Sequence, residues 1–335
     1  MLGAAVWGAG WVSGQHLKAY INNPNTEVVA IGDKSKEIAR AKADELGIEC
    51  EVYDDLDKML KRNDVHVVSI CTPHHMHVPN LVKIAEAGKH ALIEKPLALN
   101  VEGLKSVYEV VKRTKIKTLV SFVARWSPYV RMLSNLVNDG TLGDLVYLEC
   151  GYFSEVGKWW PGYSWGTTKA ECGSVIAASA CHAVDLLLYF GGDVEEVFAY
   201  HTRRYKQDFE YMPTIAGVLK FKNGILGVLT SSFEIHAPYT FPIVIGGSKG
   251  AIRDYKLHAD RFLGQTDWMD IPTVRADTAD VTHHSFNEEI DHFVDCILND
   301  RESPQNVFKA GRSTEAGFAL DLSAETGKPI RLPLI

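Results

Sequence analysis

The sequence predicts an α/β protein in two parts: a doubly wound parallel sheet, then a second α/β part rich in strands. Three observations carry this. Short apolar runs alternate with helix-period stretches from Leu2 to Glu94, the mark of a parallel sheet. Glycines stand at the first turn of that alternation, Gly8-Ala-Gly10. Farther along, apolar runs follow one another without intervening helices, with Asn223-Gly224 as a hairpin turn between two of them. At 335 residues the chain is long enough for two ordinary domains, each with its own core.

Leu2 to Trp7 reads as the first strand, Gly8 to Gly14 as a turn and Gln15 to Asn22 as a helix. Gly8 permits a tight turn. Gly10 lets a pyrophosphate approach the backbone, where Trp11 and Val12 lie beside it and the helix N-terminus offers unpaired N–H groups. Ser13 stands where a third glycine is usual, with Gly14 next to it. Thr26 to Asp33 reads as a second strand ending in an acid about twenty residues beyond the glycines, where a carboxylate holds the adenosine ribose hydroxyls. Asp33 repels a 2′-phosphate and so favours NAD over NADP, and Lys34 beside it tempers that discrimination. The plain alternative for Asp33 is a turn or helix-capping aspartate.

The alternation continues with Lys36 to Leu46 helical, Cys50 to Tyr53 a strand, Leu56 to Lys61 helical and Val65 to Cys71 a buried strand. Thr72-Pro73-His74-His75-Met76-His77 follows, then a helix from Val78 to Ala87 and a strand from His90 to Glu94 that enters Lys95-Pro96. Both loops follow strand carboxyl ends, where ligands bind in such sheets. The histidines at 74, 75 and 77 lack an acid or cysteine at metal-ligand spacing, so no metal is expected.

From Val175 to Phe190 the apolar positions recur at helical spacing, and Gly191-Gly192 stops the helix. His182 and Asp185, three apart, share a face, with small residues Ala177 to Ala180 ahead of them. The plain alternative is a core helix with a hydrogen-bonded, inert histidine. Upstream, Trp159-Trp160-Pro-Gly-Tyr163-Ser-Trp165-Gly-Thr-Thr-Lys169 reads as an aromatic loop. Its rings suit sugar C–H faces or packing against protein equally.

Net charge of −7 argues against nucleic acid and anionic membrane as partners. No uninterrupted apolar run approaches the ~18 residues of a span. The first residues lack a basic region and run into glycines, so they read as a strand rather than a leader. Six scattered cysteines without a C-x-x-C pair suit reduced thiols and a cytoplasmic protein.

Gly8-x-Gly10, Asp33, Thr72-Pro73 with His77, Glu94-Lys95-Pro96 and His182-x-x-Asp185 together resemble the Gfo/Idh/MocA family of nicotinamide-dependent oxidoreductases. Arg125-Trp-Ser-Pro128, Gly140-Thr-Leu-Gly143, Phe286 to Phe293 and Ser323 to Pro329 extend the likeness over nearly the whole chain. The resemblance implies a Rossmann domain over 1–122. It implies a substrate and oligomerisation domain over 123–335, built on a large open, mainly antiparallel sheet, with a helix at 311–326 packing back toward the first domain. The sequence agrees with strands at Val146 to Phe153, Val194 to His201, Ala216 to Phe221, Gly227 to Phe233, Phe241 to Ile245 and Ala251 to Asp254.

By that resemblance the cofactor is held by Gly8, Gly10, Trp11, Val12, Asp33, Lys34, Thr72, Pro73, His77, Glu94, Lys95 and Arg125. Lys95 and His182 are catalytic, meeting at the C4 edge of the nicotinamide, and Lys95, Trp165, Lys169, His182 and Asp185 meet substrate. His182 moves the proton and Lys95 orients the hydroxyl, with a lysine base as the runner-up. The Lys95-Pro96 bond is expected to be cis. Many members carry an aspartate four residues before the histidine, where this chain has Ala178. The function implied is NAD-dependent oxidation of a secondary hydroxyl of a sugar, cyclitol or glycoside to a ketone, or the reverse, by a homo-oligomer (dimer or tetramer) formed through the second sheet. Two alternatives stand beside it: redox-neutral, NAD-assisted glycoside cleavage or epimerisation, and an NAD-binding sensor or scaffold without turnover.

Overall fold

The structure, a computed structural model, describes residues 1–274 and 284–335. It divides into two compact units, one of Met1–Val123, Ala170–Cys172 and His284–Arg312, the other of Ala124–Lys169, Gly173–His283 and Ser313–Ile335.

The first unit holds strands β1 (Leu2–Trp7), β2 (Thr26–Gly32), β3 (Glu51–Tyr53), β4 (Val67–Ile70), β5 (His90–Glu94) and β6 (Thr118–Ser121) in the order β3-β2-β1-β4-β5-β6. Every pair is parallel. Helices α1 (Ser13–Asn22), α2 (Lys36–Glu45), α3 (Leu56–Leu60), α4 (His77–Glu86) and α5 (Val101–Thr114) connect the strands. Burial on both faces is why β4 and the core of β5 read as unbroken apolar runs apart from Ser69. The strand order reverses between β1 and β4, so Gly8 and Thr72 flank the crevice where such sheets bind ligands.

The second unit opens with helices α6 (Pro128–Asn138), α7 (Tyr163–Gly166), α8 (Lys169–Cys172, which clusters with the first unit from Ala170) and α9 (Cys181–Gly191). Its strands are β7 (Leu145–Phe153), β8 (Val194–Thr202), β9 (Thr214–Phe221), β10 (Leu226–Ser232), β11 (Ile243–Gly247), β12 (Gly250–Arg253), β13 (Lys256–Ala259), β14 (Met269–Asp270) and β15 (Ile330–Arg331). They form a nine-stranded sheet, β14-β13-β12-β11-β7-β10-β9-β8-β15, antiparallel except for the β7–β10 pair. The open, mainly antiparallel sheet expected from the resemblance is therefore present.

Two helices complete the chain, α10 (Phe286–Leu298) and α11 (Val307–Thr326). The division differs from a single cut at 122. His284–Arg312 returns to the first unit because Phe286, Ile290 and Phe293 are buried and α10 packs on α1. Ser121 also donates to Glu289 at 2.7 Å. From Ser313 onward α11 belongs to the second unit, where Ser323 Oγ accepts from the Ala199 N–H at 3.1 Å.

Alternation decides which face of the large sheet is covered. On β9, Ile215, Leu219 and Phe221 are buried toward the helices. On the opposite face Tyr200 is 69% exposed, Val218 52% and Leu226 56%. Residues 169–191 form one helical stretch long and apolar enough to cross a membrane, yet it is mostly buried inside the protein and α9 packs on β7 and β10 as a core helix.

Candidate active site

Gly8 ends β1 with φ of +99°, and a Cβ there would lie 2.6 Å from the Cys71 carbonyl. Only glycine fits. Gly10 meets no atom within 4 Å of a Cβ position, so the turn is open on that side. Ser13, in place of the third glycine, is buried and donates to the Gly10 carbonyl at 2.6 Å, fixing the turn by a side-chain bond. The Val12 N-cap offers α1 no side-chain bond and the first turn contains no acid, which leaves N–H groups directed at an anion. Asp33 accepts from the Ala9 N–H at 2.8 Å and the Ser35 N–H at 3.1 Å. α2 is capped by Ser35, not Asp33. An ionised carboxylate has about four acceptor positions, so Asp33 keeps capacity for ribose hydroxyls. Trp11 and Lys34 are exposed. An open glycine turn, an uncapped helix start and an acid at the second strand fit a dinucleotide.

At the end of β4, Thr72 and Pro73 are half-buried, and a 3-10 turn over His74–Met76 leads into α4. His77 is 1% exposed, and both its nitrogens face carbonyl oxygens, Nδ1 to Pro96 at 2.7 Å and Nε2 to Thr72 at 2.9 Å. These contacts tie His77 to the two loops that follow β4 and β5. Burial pushes its pKa down, against the pull of those two hydrogen bonds. His74 Nδ1 donates to the Cys172 carbonyl at 3.1 Å, and burial, then the Lys95 charge, hold its pKa well below the usual value. Among the described residues no group of three or more His, Cys, Asp or Glu side chains is arranged to hold a metal ion.

β5 delivers Glu94 and Lys95, and the Lys95-Pro96 bond is cis. Lys95 is half-buried while every other residue from Ala91 to Ala98 is buried, so this one side chain leaves the core at the strand's carboxyl end. Glu94 turns inward: Oε1 accepts from His16 Nε2 at 2.9 Å and Oε2 from the Lys95 N–H at 3.3 Å. Burial works against its charge, but the His16 hydrogen bond, with the His16 and Lys95 charges, holds its carboxyl below the usual range.

In the second unit the helix expected to be continuous from Val175 begins instead with a π turn over Ile176–Ala180, closed by the Cys181 N–H on the Ile176 carbonyl. Ala178 lies inside that turn, immediately before α9 carries His182, which is buried in the helix's first turn. π turns recur at functional sites because they re-aim the residues that follow. Gly192, with φ of +87°, ends α9.

Asp185 lies one turn beyond His182 on α9. It is 1% exposed and accepts from Arg125 Nε and Nη2, each at 2.6 Å, and from Ser313 Oγ at 2.8 Å. Three of its roughly four acceptor positions are filled by protein donors. Arg125, expected near the cofactor, is the other half of this pair and lies over the Tyr189 ring at 4.7 Å. In the aromatic segment Trp165 packs edge-on against Trp160 at 5.3 Å, while Trp159 projects outward. Lys169 is exposed and paired with Glu325 at 2.9 Å.

Two groups were not read from the sequence. One is the buried set His16, Ser69 and Tyr20 behind Glu94. Its signals were a serine inside the apolar run of β4 and a histidine on the apolar face of α1. The other is Asp321 on α11, which accepts from Ser174 Oγ at 2.6 Å and whose carboxyl burial pushes up to about 7.

A glycine turn at the switch point, an acid at the second strand and a lysine leaving the fifth strand define a dinucleotide-dependent oxidoreductase. Comparison with known proteins makes the class specific. Residues 2–122 match the model of an oxidoreductase family with an NAD-binding Rossmann fold, and residues 130–253 match the model of that family's C-terminal domain. The chain belongs to the Gfo/Idh/MocA family, and it is an NAD-dependent oxidoreductase acting on CH–OH groups.

It is 24% identical to the scyllo-inositol 2-dehydrogenase (NAD(+)) of Bacillus subtilis (strain 168), over 98% of this chain and 95% of that one. It is 26% identical to the 2,7-anhydro-N-acetylneuraminate hydratase of Mediterraneibacter gnavus (strain ATCC 29149), over 75% of this chain and 67% of that one. A solved levoglucosan dehydrogenase in complex with NADH superposes with a TM-score of 0.88 at 22% identity, covering all of both chains.

Proposed function

We propose that the protein oxidises a secondary hydroxyl of a cyclitol, sugar or anhydrosugar to a ketone with NAD, or runs the reverse reduction. The observation that carries this reading is Lys95, the one side chain that the buried stretch Ala91–Ala98 sends outward, at the carboxyl end of β5, whose neighbour β4 borders the crevice of a dinucleotide sheet. NAD supplies the hydride acceptor when bound, held by the backbone at Gly8 and Gly10, with Trp11 and Val12 beside them, and by Asp33 with Lys34 at the ribose. Thr72, Pro73 and Glu94 complete its side of the site. Lys95 donates a hydrogen bond to the reacting hydroxyl and steadies the oxyanion that develops. His182 accepts the hydroxyl proton. Trp165 and Lys169 bound the substrate.

The dehydrogenase relatives named for scyllo-inositol and levoglucosan supply the substrate class. The hydratase relative keeps a second reading in view, a redox-neutral reaction on a glycoside-like substrate. A panel of inositols, hexoses and anhydrosugars with NAD, followed at 340 nm and by product analysis, tests both. Absorbance growth with a ketone product supports the first; product without net NADH replaces it with the second; no turnover with any of them, while NADH still binds, removes this substrate class.

The exposed face bearing Tyr200, Val218 and Leu226 is our candidate for the surface joining copies into a dimer or tetramer. Light scattering of Val218→Asp tests it, with a smaller particle expected. The cysteines, none of them in a disulfide, suit the cytoplasm.

A further inference from the structure

We infer that His16, acting through Glu94, is a positioning residue for Lys95, and that Tyr20, Ser69, His16 and Glu94 form one directed hydrogen-bond chain ending at that lysine. The inference rests on the reading of Lys95 as the group that meets the reacting hydroxyl.

Three members of the chain, Tyr20, Ser69 and His16, are at 0% exposure. Tyr20 OH lies 2.9 Å from Ser69 Oγ, Ser69 Oγ 3.2 Å from His16 Nδ1, and His16 Nε2 2.9 Å from Glu94 Oε1. The Glu94 carboxylate can only accept, which sets the end toward which the chain runs. His16 Nε2 donates its proton to the carboxylate, and Ser69 and Tyr20 continue the chain from Nδ1. Each bond then polarises the next toward Glu94. Burial raises the Tyr20 phenol above its ordinary value, so it remains a donor.

The other Glu94 oxygen takes the N–H of Lys95, so the chain fixes the backbone from which the lysine springs. It also fixes the charge beside it. Of the titratable groups that sense Lys95, burial turns His74 and His77 toward the neutral form. The His16 hydrogen bond holds the Glu94 carboxyl below its usual range against the effect of burial. A polar serine inside β4 and a histidine inside the α1 packing serve no fold requirement that apolar residues would not meet, and such groups are costly unless fully paired. Their placement is explained by what they hold.

The test reads Lys95 without turnover. Purified apoprotein is treated with limiting acetic anhydride and acetylation of Lys95 is quantified by peptide mass spectrometry, in wild type, His16→Leu, His16→Gln, Glu94→Gln and Tyr20→Phe. Glu94→Gln removes the carboxylate beside Lys95 and His16→Leu removes the donor that holds that carboxylate in place, so Lys95 in both is expected to react roughly tenfold faster. His16→Gln, which still donates to Glu94, should fall between them and wild type. Tyr20→Phe should give about a twofold rise.

With a substrate in hand, His16→Leu should lower kcat roughly 10- to 100-fold while NADH affinity stays within about threefold. Equal Lys95 reactivity in all variants overturns the inference. If His16→Leu does not fold, Glu94→Gln and Tyr20→Phe decide it. Activity retained by Lys95→Ala would instead remove the catalytic reading of the lysine, whatever its reactivity shows.

Discussion

Arg125→Ala should be among the most damaging single substitutions in the second unit, although it removes a side chain that is 14% exposed. Arg125 grips both oxygens of Asp185, whose side chain is 1% exposed. Removing the guanidinium leaves a buried carboxylate with the Ser313 hydroxyl as its donor. Breaking a buried pair from one side costs about 3–5 kcal/mol. Loss of the stacking on Tyr189 adds about 0.5–1 kcal/mol. At roughly 2–4 °C per kcal/mol for a unit of this size, the melting temperature should drop by about 7–24 °C.

Replacing both partners, Arg125→Met with Asp185→Leu, removes the charge along with its partner and should restore most of that loss. The coupling in the cycle is about 3 kcal/mol. Differential scanning fluorimetry of the two single variants and the double variant measures it. A melting temperature for Arg125→Ala within about 2 °C of wild type, or a double variant no better than the sum of the singles, would refute the claim that Asp185 depends on Arg125.

Two further outcomes follow from charge. Asp33→Asn keeps an acceptor for the Ala9 N–H but removes the charge that repels a 2′-phosphate. The NADP to NAD ratio of kcat/KM should rise by roughly tenfold, and an unchanged ratio would take cofactor choice away from Asp33. For Asp321 the folded value, about 7, lies above the ordinary 3.8. Between those two pH values the unfolded chain has released a proton that the folded chain keeps, so stability falls as pH rises and the loss is complete above about 7. Asp321 is half-buried, and screening reduces the full conversion to ~2 kcal/mol. Asp321→Asn should therefore melt with wild type at pH 4 and several degrees above it at pH 8. A constant difference across that range would contradict the assignment.

The first unit was legible because its signals are local. Strand, glycine turn and helix follow within a few residues, and strands buried on both faces leave unbroken apolar runs. The second sheet was legible where alternation is long, as in β9. β14 and β15 have two residues each, too few for any period to register. The π turn escaped because a one-residue slip in hydrogen bonding leaves no mark beyond small side chains at Ala177 to Ala180. The helix that carries His16 reads correctly, but which strand residue that histidine meets, Ser69, is a matter of packing. The pairing of Arg125 with Asp185, sixty residues apart, is hidden for the same reason. The return of His284–Arg312 to the first unit depends on Phe286 and Phe293 finding α1, which no local pattern states.

The most direct measurement compares NADH formation by wild type, Lys95→Ala and His182→Ala on the best substrate from the panel, with NADH affinity measured in parallel by fluorescence. Each variant should lose about 10²- to 10⁴-fold in kcat while still binding NADH, with a smaller loss of affinity in Lys95→Ala than of kcat. Turnover near the wild-type rate in either variant would contradict the assignment of hydride-transfer chemistry to these two side chains.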